Sequence, residues 1–211
     1  MVRLEAKIMG INPFWISALL TVAFLIVCAT GGDNVNWGYL GFEVLFPFYM
    51  AVAVGEWCRI RADQIFDVIS AQGKSLFLWI VRRFLILFVT VTAFAVIGML
   101  GTVVITKAAS IGELLLTFLP TAFFLSSVCI FLSVLSSIPH IPTMAVSVIW
   151  LFSIMSMSLL RFRPIQYLYL FIRFAGVDSS IWILNKLVLL VAGSVLWICV
   201  FLVCQKRLWV Q

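Results

Sequence analysis

Residues 59–75, RIRADQIFDVISAQGKS, carry the densest set of polar side chains in the sequence, and we call them the polar island. Their apolar members recur at helical offsets of one, three and four, while the charged members can occupy other faces. This pattern predicts a short amphipathic helix along a membrane surface, which Gly73 would end. Acids interspersed among the bases disfavour a plain anchor for anionic lipids and favour a protein partner. The charged and apolar residues that form this pattern include Arg59, Arg61, Asp63, Ile65, Phe66, Asp67, Ile69 and Lys74.

Glu43 is a single carboxylate well inside an apolar run, LGFEVLFPF. An ionisable group in such a run is costly to bury, so it is a functional hypothesis by default. Two interpretations stay open. Glu43 lines a transport pathway or outer gate together with Arg161 and Arg163, or it reaches the outer headgroups or pairs with an outer arginine such as one of these two. Pro47, one turn further on, predicts a bend in this helix.

Residue patterns typical of enzymes and metal sites are missing from the sequence. There is no P-loop GxxxxGK[ST] and no HExxH, and the sole histidine, His140, lies in a turn between two prolines. The five cysteines form no CxxC pair, which favours buried free thiols over a metal site or a disulfide framework. We therefore predict no catalytic residues, no metal and no cofactor bound directly to this chain.

Composition decides which elements must position these residues. The chain has 211 residues, of which 64% are hydrophobic and only 10% charged, and its mean hydropathy is +1.22. A soluble domain needs a more polar surface than this, so the sequence predicts an integral membrane protein. Only six prolines and twelve glycines interrupt the apolar runs, which favours membrane-spanning helices over a β-barrel. The predicted fold class is all-α, with one transmembrane domain over residues 1–211.

Apolar stretches near 20 residues long predict six spans. In the third run, Arg82 and Arg83 place the predicted membrane entry near Phe84, with the residues before it at the interface. The predicted spans are 13–30, 39–57, 84–105, 114–136, 143–160 and 181–203. The sequence shows no signal peptide with a small-residue cleavage site, so the first span is expected to be retained.

Basic residues predict how the spans are oriented. If both termini are cytoplasmic, nine lysines and arginines lie inside and five outside, which supports an N-in, C-in topology. The polar island then follows the second span in the cytoplasm. Residues 161–180, RFRPIQYLYLFIRFAGVDSS, are apolar but interrupted by charges, proline and glycine. They predict either a re-entrant element before the sixth span or a segment lying at the interface.

The residues alone leave open an ordinary surface helix whose charges only enforce topology. However, Glu56, then Arg59 and Arg61, the run IFDVISAQGKS, and the pair Arg82 and Arg83 form a pattern that resembles the permease subunits of type 2 ABC exporters. The likeness extends to the six-span layout with its short turn near residues 137–142. It implies that the polar island is the coupling helix that docks on the ATPase.

The resemblance also implies a function and partners. The chain would be the permease subunit of an ATP-driven exporter in the plasma (inner) membrane, moving a hydrophobic or amphipathic cargo such as a peptide, bacteriocin, lipid or drug. ATP and Mg²⁺ would be bound by a separate ABC ATPase subunit. A second permease copy or sister permease and membrane lipids would be the other partners, with no nucleic acid. Two alternatives stay open: a substrate-capture subunit of a vitamin-type importer, and a non-transporting membrane scaffold.

Overall fold

The structure, a computed structural model, describes residues 12–31, 36–58, 76–106, 110–177 and 181–208. All regular elements in these ranges are helical, so the predicted all-α class is confirmed. We number the longer helices in chain order. They are α1 (Asn12–Thr30), α2 (Asn36–Trp57), α3 (Leu76–Thr106), α4 (Ile111–Leu135), α5 (Ile141–Met155) and α6 (Ile181–Leu208).

Five of these helices, α1 to α4 and α6, are long and apolar enough to cross a membrane. The predicted count of six is not confirmed, because α5 has only 15 residues and reaches about 22 Å of a hydrocarbon core about 30 Å thick. The apolar run of the predicted span 143–160 continues past the helix end. The backbone leaves the helical conformation at Ser156, and residues Met157–Arg161 form a 3₁₀ turn.

The end of α5 has a physical cause in its last carbonyl groups. The Tyr169 hydroxyl donates a hydrogen bond of 2.6 Å to the carbonyl of Ser153, and the Ser156 hydroxyl donates to the same oxygen at 3.4 Å. Side chains therefore satisfy a carbonyl that a longer helix would have used. The length of an apolar run gives no information about such a hydrogen-bond partner. For this reason the predicted span, 143–160, extends beyond the end of the helix at Met155.

Helices α2 and α4 form the centre of the bundle. In the most apolar 18-residue stretch of α2, 72% of the residues are buried, against 22% in the corresponding stretch of α6. Helix α4 packs on α2, α5 and α6, while α1 packs on α3. The outward faces of α1, α3 and α6 expose large apolar side chains, including Leu19, Val89 and Val195. Such faces suit a lipid environment.

Small residues allow the central helices to approach closely. A Cβ atom added at Gly55 of α2 would lie 2.5 Å from Cγ2 of Thr143 and 2.8 Å from Sγ of Cys129. At Gly41, an added Cβ would overlap the ring of Phe24. Close approach through glycine is a common basis of helix association in membranes.

The bundle has two distinct ends. Helices α1 and α3 end where α2, α4 and α6 begin, and we call this the ion-pair end, after Glu43 and Lys186. At the opposite end, α2 stops at Trp57 and α3 starts at Leu76, on either side of the polar island, so we call it the island end. Contacts between Ser17 and Tyr49 and between Arg83 and Trp57 are consistent with these helix directions.

Helix α3 runs without a break through Arg82 and Arg83. Its 31 residues span about 46 Å, which exceeds a hydrocarbon core by about 16 Å. Part of α3 must therefore lie outside the hydrocarbon. Arg83 is buried, donates a hydrogen bond of 3.1 Å to the carbonyl of Trp57 and stacks 3.6 Å above the ring of Trp79.

Candidate functional site

Glu43 lies in a π-helical turn of α2. Residues Leu40–Leu45 form this wide turn, in which the amide of Phe46 donates to the carbonyl of Gly41. The indole N–H of Trp150, on α5, donates to the carbonyl of Val44 at 3.1 Å, so the turn has a partner outside its own helix. Such π turns within longer helices are frequent at functional sites.

The carboxylate of Glu43 forms a buried ion pair with Lys186 of α6. Oε1 of Glu43 lies 2.6 Å from Nζ of Lys186, and the exposed fractions of the two side chains are 0% and 4%. The ammonium group also donates to Oγ1 of Thr121 at 2.9 Å and to the carbonyl of Leu170 at 3.0 Å. All three donor positions of Lys186 are thus occupied.

The same carboxylate accepts two main-chain hydrogen bonds. The amide of Phe174 donates to Oε2 at 2.6 Å and the amide of Arg173 donates to Oε1 at 3.3 Å. Charge-assisted bonds of this kind are stronger than neutral ones. Glu43 therefore joins three elements: α2, α6 and the stretch of chain that precedes α6.

That stretch, residues 167–177, is irregular, and we call it the inserted segment. Leu170, Phe171 and Ile172 at its centre are almost completely buried. The side-chain amide of Asn185, on α6, donates to the carbonyls of Gln166 and Tyr169, both at 2.8 Å. Polar side chains of the bundle thus form hydrogen bonds with main-chain groups that have no partner within a helix or sheet. Buried main-chain groups need such partners.

A second set of polar contacts covers this arrangement. The guanidinium of Arg173 forms an ion pair with Glu113 and donates to the hydroxyl of Tyr39 at 2.8 Å. Tyr39 in turn donates to Glu113 at 2.6 Å. Ser110 caps α4 by accepting the amide of Glu113 at 3.2 Å, so the Ser-x-x-Glu sequence fixes this acid at the helix start.

Electrostatically, the cluster is balanced, with the acids Glu43 and Glu113 facing the bases Arg173 and Lys186. Burial and the nearby charge of Glu43 raise the pKa of Tyr169 to about 12. The phenol is therefore neutral at physiological pH and keeps its proton for the carbonyl of Ser153. Removing one partner of a buried pair leaves an uncompensated charge, which costs several kcal/mol.

The predicted partner of Glu43 was wrong. Of the interpretations left open, pairing with an outer arginine such as Arg161 or Arg163 is contradicted, because both are exposed and the carboxylate pairs with Lys186 instead. Sequence reasoning treated Lys186 and Arg173 only as outer bases and missed their contacts. The available signal was the position of Lys186, which lies inside an apolar run as Glu43 does. Two opposite charges placed in this way are candidates to pair within the bundle.

The predicted contacts of the polar island lie outside the described residues. These are Arg59, Arg61, Asp63, Ile65, Phe66, Asp67, Ile69 and Lys74. The structure does describe the helix ends on either side of them. Cys58 is buried, Glu56 is exposed, and Arg83 links the start of α3 to the end of α2.

Within the described ranges, no three histidine, cysteine, aspartate or glutamate side chains come together in a way that could hold a metal ion. His140 is exposed at the start of α5, which fits the turn residue expected from the sequence. The five cysteines are free thiols, four of them buried.

The fold and this cluster define a multi-pass helical membrane protein with a buried ion pair at one end of its bundle. Comparison of the chain with protein-family models, curated proteins and solved structures yields no match.

Proposed function

We propose that this chain is the membrane-spanning permease subunit of an ATP-driven exporter, energised by a separate ATPase that docks on the polar island. The observation that carries the proposal is the course of α2. This central, largely buried helix ends directly before the polar island and holds Glu43 in its π turn near the other end. One rigid element thus links the proposed docking site to the buried ion pair.

The length and packing of α2 suit a mechanical connection. Glu43 and Trp57 are about 21 Å apart along the helix axis, and the helix contacts α3, α4 and α5 over this distance. Displacement of the polar island by ATP-driven closure of the ATPase would shift α2 as a body. Small shifts of packed helices are a recognised form of switching, and the π turn is the place where α2 departs from regular geometry.

The placement of charges supports a cytoplasmic polar island. Of the five bases at the ion-pair end, Arg173 and Lys186 are paired with acids inside the folded bundle rather than placed in a free loop. Arg161 and Arg163 are exposed at this end, and Lys107 follows α3 in the sequence. The excess of bases at the island end, which the positive-inside rule assigns to the cytoplasm, is thereby larger than a count of the sequence alone gives.

The cargo class follows from the apolar character of the bundle. Most side chains in the described interior are apolar, so a hydrophobic or amphipathic molecule such as a peptide, lipid or drug suits this protein better than an ion or a sugar. A second copy or a sister permease would complete the path, and the ATPase would bring ATP and Mg²⁺. The plasma membrane is the proposed location.

A substrate-capture subunit of an importer receives less support. Such a protein would use Glu43 and neighbouring arginines to bind its small molecule. Here the carboxylate already accepts from Lys186, Arg173 and Phe174, and Arg173 is engaged with Glu113. These groups serve the protein's own main chain and side chains.

Co-purification with a candidate ABC ATPase from the same organism tests the proposal. We expect Phe66→Asp and Asp67→Lys each to reduce recovery of the ATPase and to abolish turnover that depends on the permease. The matched control is Phe162→Asp, which places the same charge on an exposed phenylalanine at the ion-pair end. Failure of the unaltered chain to bind the ATPase, or equal binding by all variants, would falsify the proposal.

A further inference from the structure

We infer that the Glu43–Lys186 ion pair is a latch, which holds the inserted segment in the bundle and whose release opens the ion-pair end to water. This inference rests on the fold and contacts alone, independently of the proposed function.

The first argument is that the pair binds the main chain of the segment. Its carboxylate accepts the amides of Arg173 and Phe174, and its ammonium donates to the carbonyl of Leu170. Three main-chain groups, spread over five residues, are therefore fixed by two side chains. The segment makes some turn hydrogen bonds of its own, such as Ala175 to Phe171, but these do not attach it to the bundle.

The second argument is the apolar surface that the latch keeps covered. Phe171 and Ile172 have exposed fractions of 0%, and Leu170 has 3%. They lie within a stretch that is not itself part of a regular helix, and Asn185 and the Arg173–Glu113 pair provide further attachments at its two ends. Withdrawal of this stretch would uncover both these side chains and the faces of α2, α4 and α6 around the pair. The latch therefore decides whether water reaches the interior at this end.

The third argument is that both states of the latch can satisfy the charges. With the segment inserted, protein groups surround the carboxylate and the ammonium and complete their hydrogen bonds. With the segment withdrawn, water would enter and hydrate the same two groups. An apolar contact would strongly favour one state, whereas a charged pair offsets the lost contacts by regained hydration. A small free-energy difference between two states is the requirement for a switch.

The acid and the base of the latch cannot exchange positions without losing the main-chain hydrogen bonds. Of these two side chains, only the carboxylate can accept the two amides, and only the ammonium can donate to the carbonyl of Leu170. Exchange of the two residues, Glu43→Lys with Lys186→Glu, would keep the attraction between the charges. It would remove all three main-chain hydrogen bonds. This exchange therefore distinguishes two hypotheses: that the pair holds the segment through main-chain hydrogen bonds, and that it acts only through the attraction between its charges.

The test measures how quickly a charged maleimide labels a cysteine in the segment. The reporter is Phe171→Cys, in a chain whose five native cysteines are changed to alanine, held in lipid nanodiscs so that both faces are accessible. We expect slow labelling with the pair intact, and labelling about tenfold or more faster with Glu43→Gln, because a charge-assisted hydrogen bond is lost or weakened. The exchanged pair should label as fast as Glu43→Gln.

Two controls keep the result specific. Glu56→Gln makes the same chemical change on the exposed end of the same helix and should leave labelling of the reporter within twofold. Native Cys129, buried in α4 and kept as the single cysteine in a second chain, should stay unlabelled with Glu43→Gln.

Three outcomes would overturn the latch. They are unchanged labelling of the reporter with Glu43→Gln, full protection in the exchanged pair, and labelling of Cys129 that rises in parallel with that of the reporter. The last would mean that the pair stabilises the whole bundle rather than the segment. A failed ATPase assay would leave all of these results unaffected, so the latch and the proposed function are tested separately.

Discussion

The two ends of the bundle use their charged residues in opposite ways. At the ion-pair end, Glu43, Glu113, Arg173 and Lys186 turn inward and satisfy one another and the inserted segment. At the island end, Glu56 is exposed and the sequence places a dense run of charges directly after α2. Buried charges with partners, among them Arg83 on Trp57 and Trp79 at the island end, fix a conformation. We expect the charges of the polar island to act on a partner protein instead.

This difference predicts which substitutions affect stability and which affect binding. Changes within the ion-pair cluster should lower the free energy of unfolding, because they leave buried groups unpaired. Changes of polar residues in the polar island should leave that free energy nearly unchanged and act on the partner. The predictions below begin with the largest effect.

Lys186→Met should be the most damaging substitution. It leaves Glu43 without its cation in a fully buried site, and loss of one partner from a buried pair costs about 3–5 kcal/mol. Denaturant unfolding in detergent micelles measures this loss. Adding Glu43→Leu should restore most of the lost stability, because an apolar pair removes the unbalanced charge.

Arg161→Met changes an exposed base at the same end and should change the free energy of unfolding by less than about 0.5 kcal/mol. An equal loss from both single substitutions would contradict the comparison.

Gly55→Ala should weaken the packing near the island end by about 1–3 kcal/mol, because its methyl group has no room between Thr143 and Cys129. Gly112→Ala is the matched control, since a Cβ there meets no atom within 4 Å. That substitution in the first turn of α4 should be neutral or slightly stabilising, because alanine favours the helix. Thermal unfolding of the two variants gives the comparison directly. A stable Gly55→Ala protein would show that α2 and α5 separate easily.

Arg83→Lys should cost about 1–2 kcal/mol at the island end. Lysine keeps the charge but cannot reproduce both the hydrogen bond to Trp57 and the planar stacking on Trp79. Tryptophan fluorescence followed during unfolding measures the loss. Exposed Arg163→Lys is the control for the same chemical change and should have no effect. If the two variants behave alike, Arg83 contributes only its charge.

Tyr169→Phe should have the smallest effect, about 1 kcal/mol at neutral pH, from the lost hydrogen bond to Ser153. Burial and the charge of Glu43 raise the pKa of Tyr169 to about 12, above the usual value near 10. The neutral phenol therefore contributes stability that is complete below about pH 10 and is lost as pH rises toward 12. The stability of the phenylalanine variant should fall less over that interval. A parallel decline of the two proteins would assign the loss to other groups.

The general fold could be predicted from the sequence because apolar runs report directly on transfer into lipid. The run at the start of the chain predicted a span over 13–30, and the helix covers Asn12–Thr30. The same reasoning failed for α5, where the apolar run continues to Leu160 but the helix stops at Met155. The composition of a segment indicates whether it lies in lipid or in water. The residues at which its helix begins and ends depend on hydrogen-bond partners elsewhere in the chain.

The site could be predicted in part. Glu43 stood out because burial of a carboxylate is costly at any position in an apolar run. Lys186 could have been named as a candidate partner because it also lies inside an apolar run. The main-chain contact with Phe174, 131 residues away, could not be deduced, since helical periodicity carries no information about which helices meet. Arg161 and Arg163 were plausible only because they follow a predicted span end, and proximity to a span end does not establish contact.

The π turn of α2 also sets the rotational phase of the helix. A π turn holds more residues than an α turn, so residues Asn36–Tyr39 are rotated relative to Phe46–Trp57 compared with an unbroken α-helix. Winding the same residues as an unbroken α-helix would swing one part of α2 by about 100° against the other. Tyr39 would then point away from Glu113 and Arg173, although the composition of the helix would be the same. The extra residue in this turn therefore aligns the two ends of the helix with their separate partners.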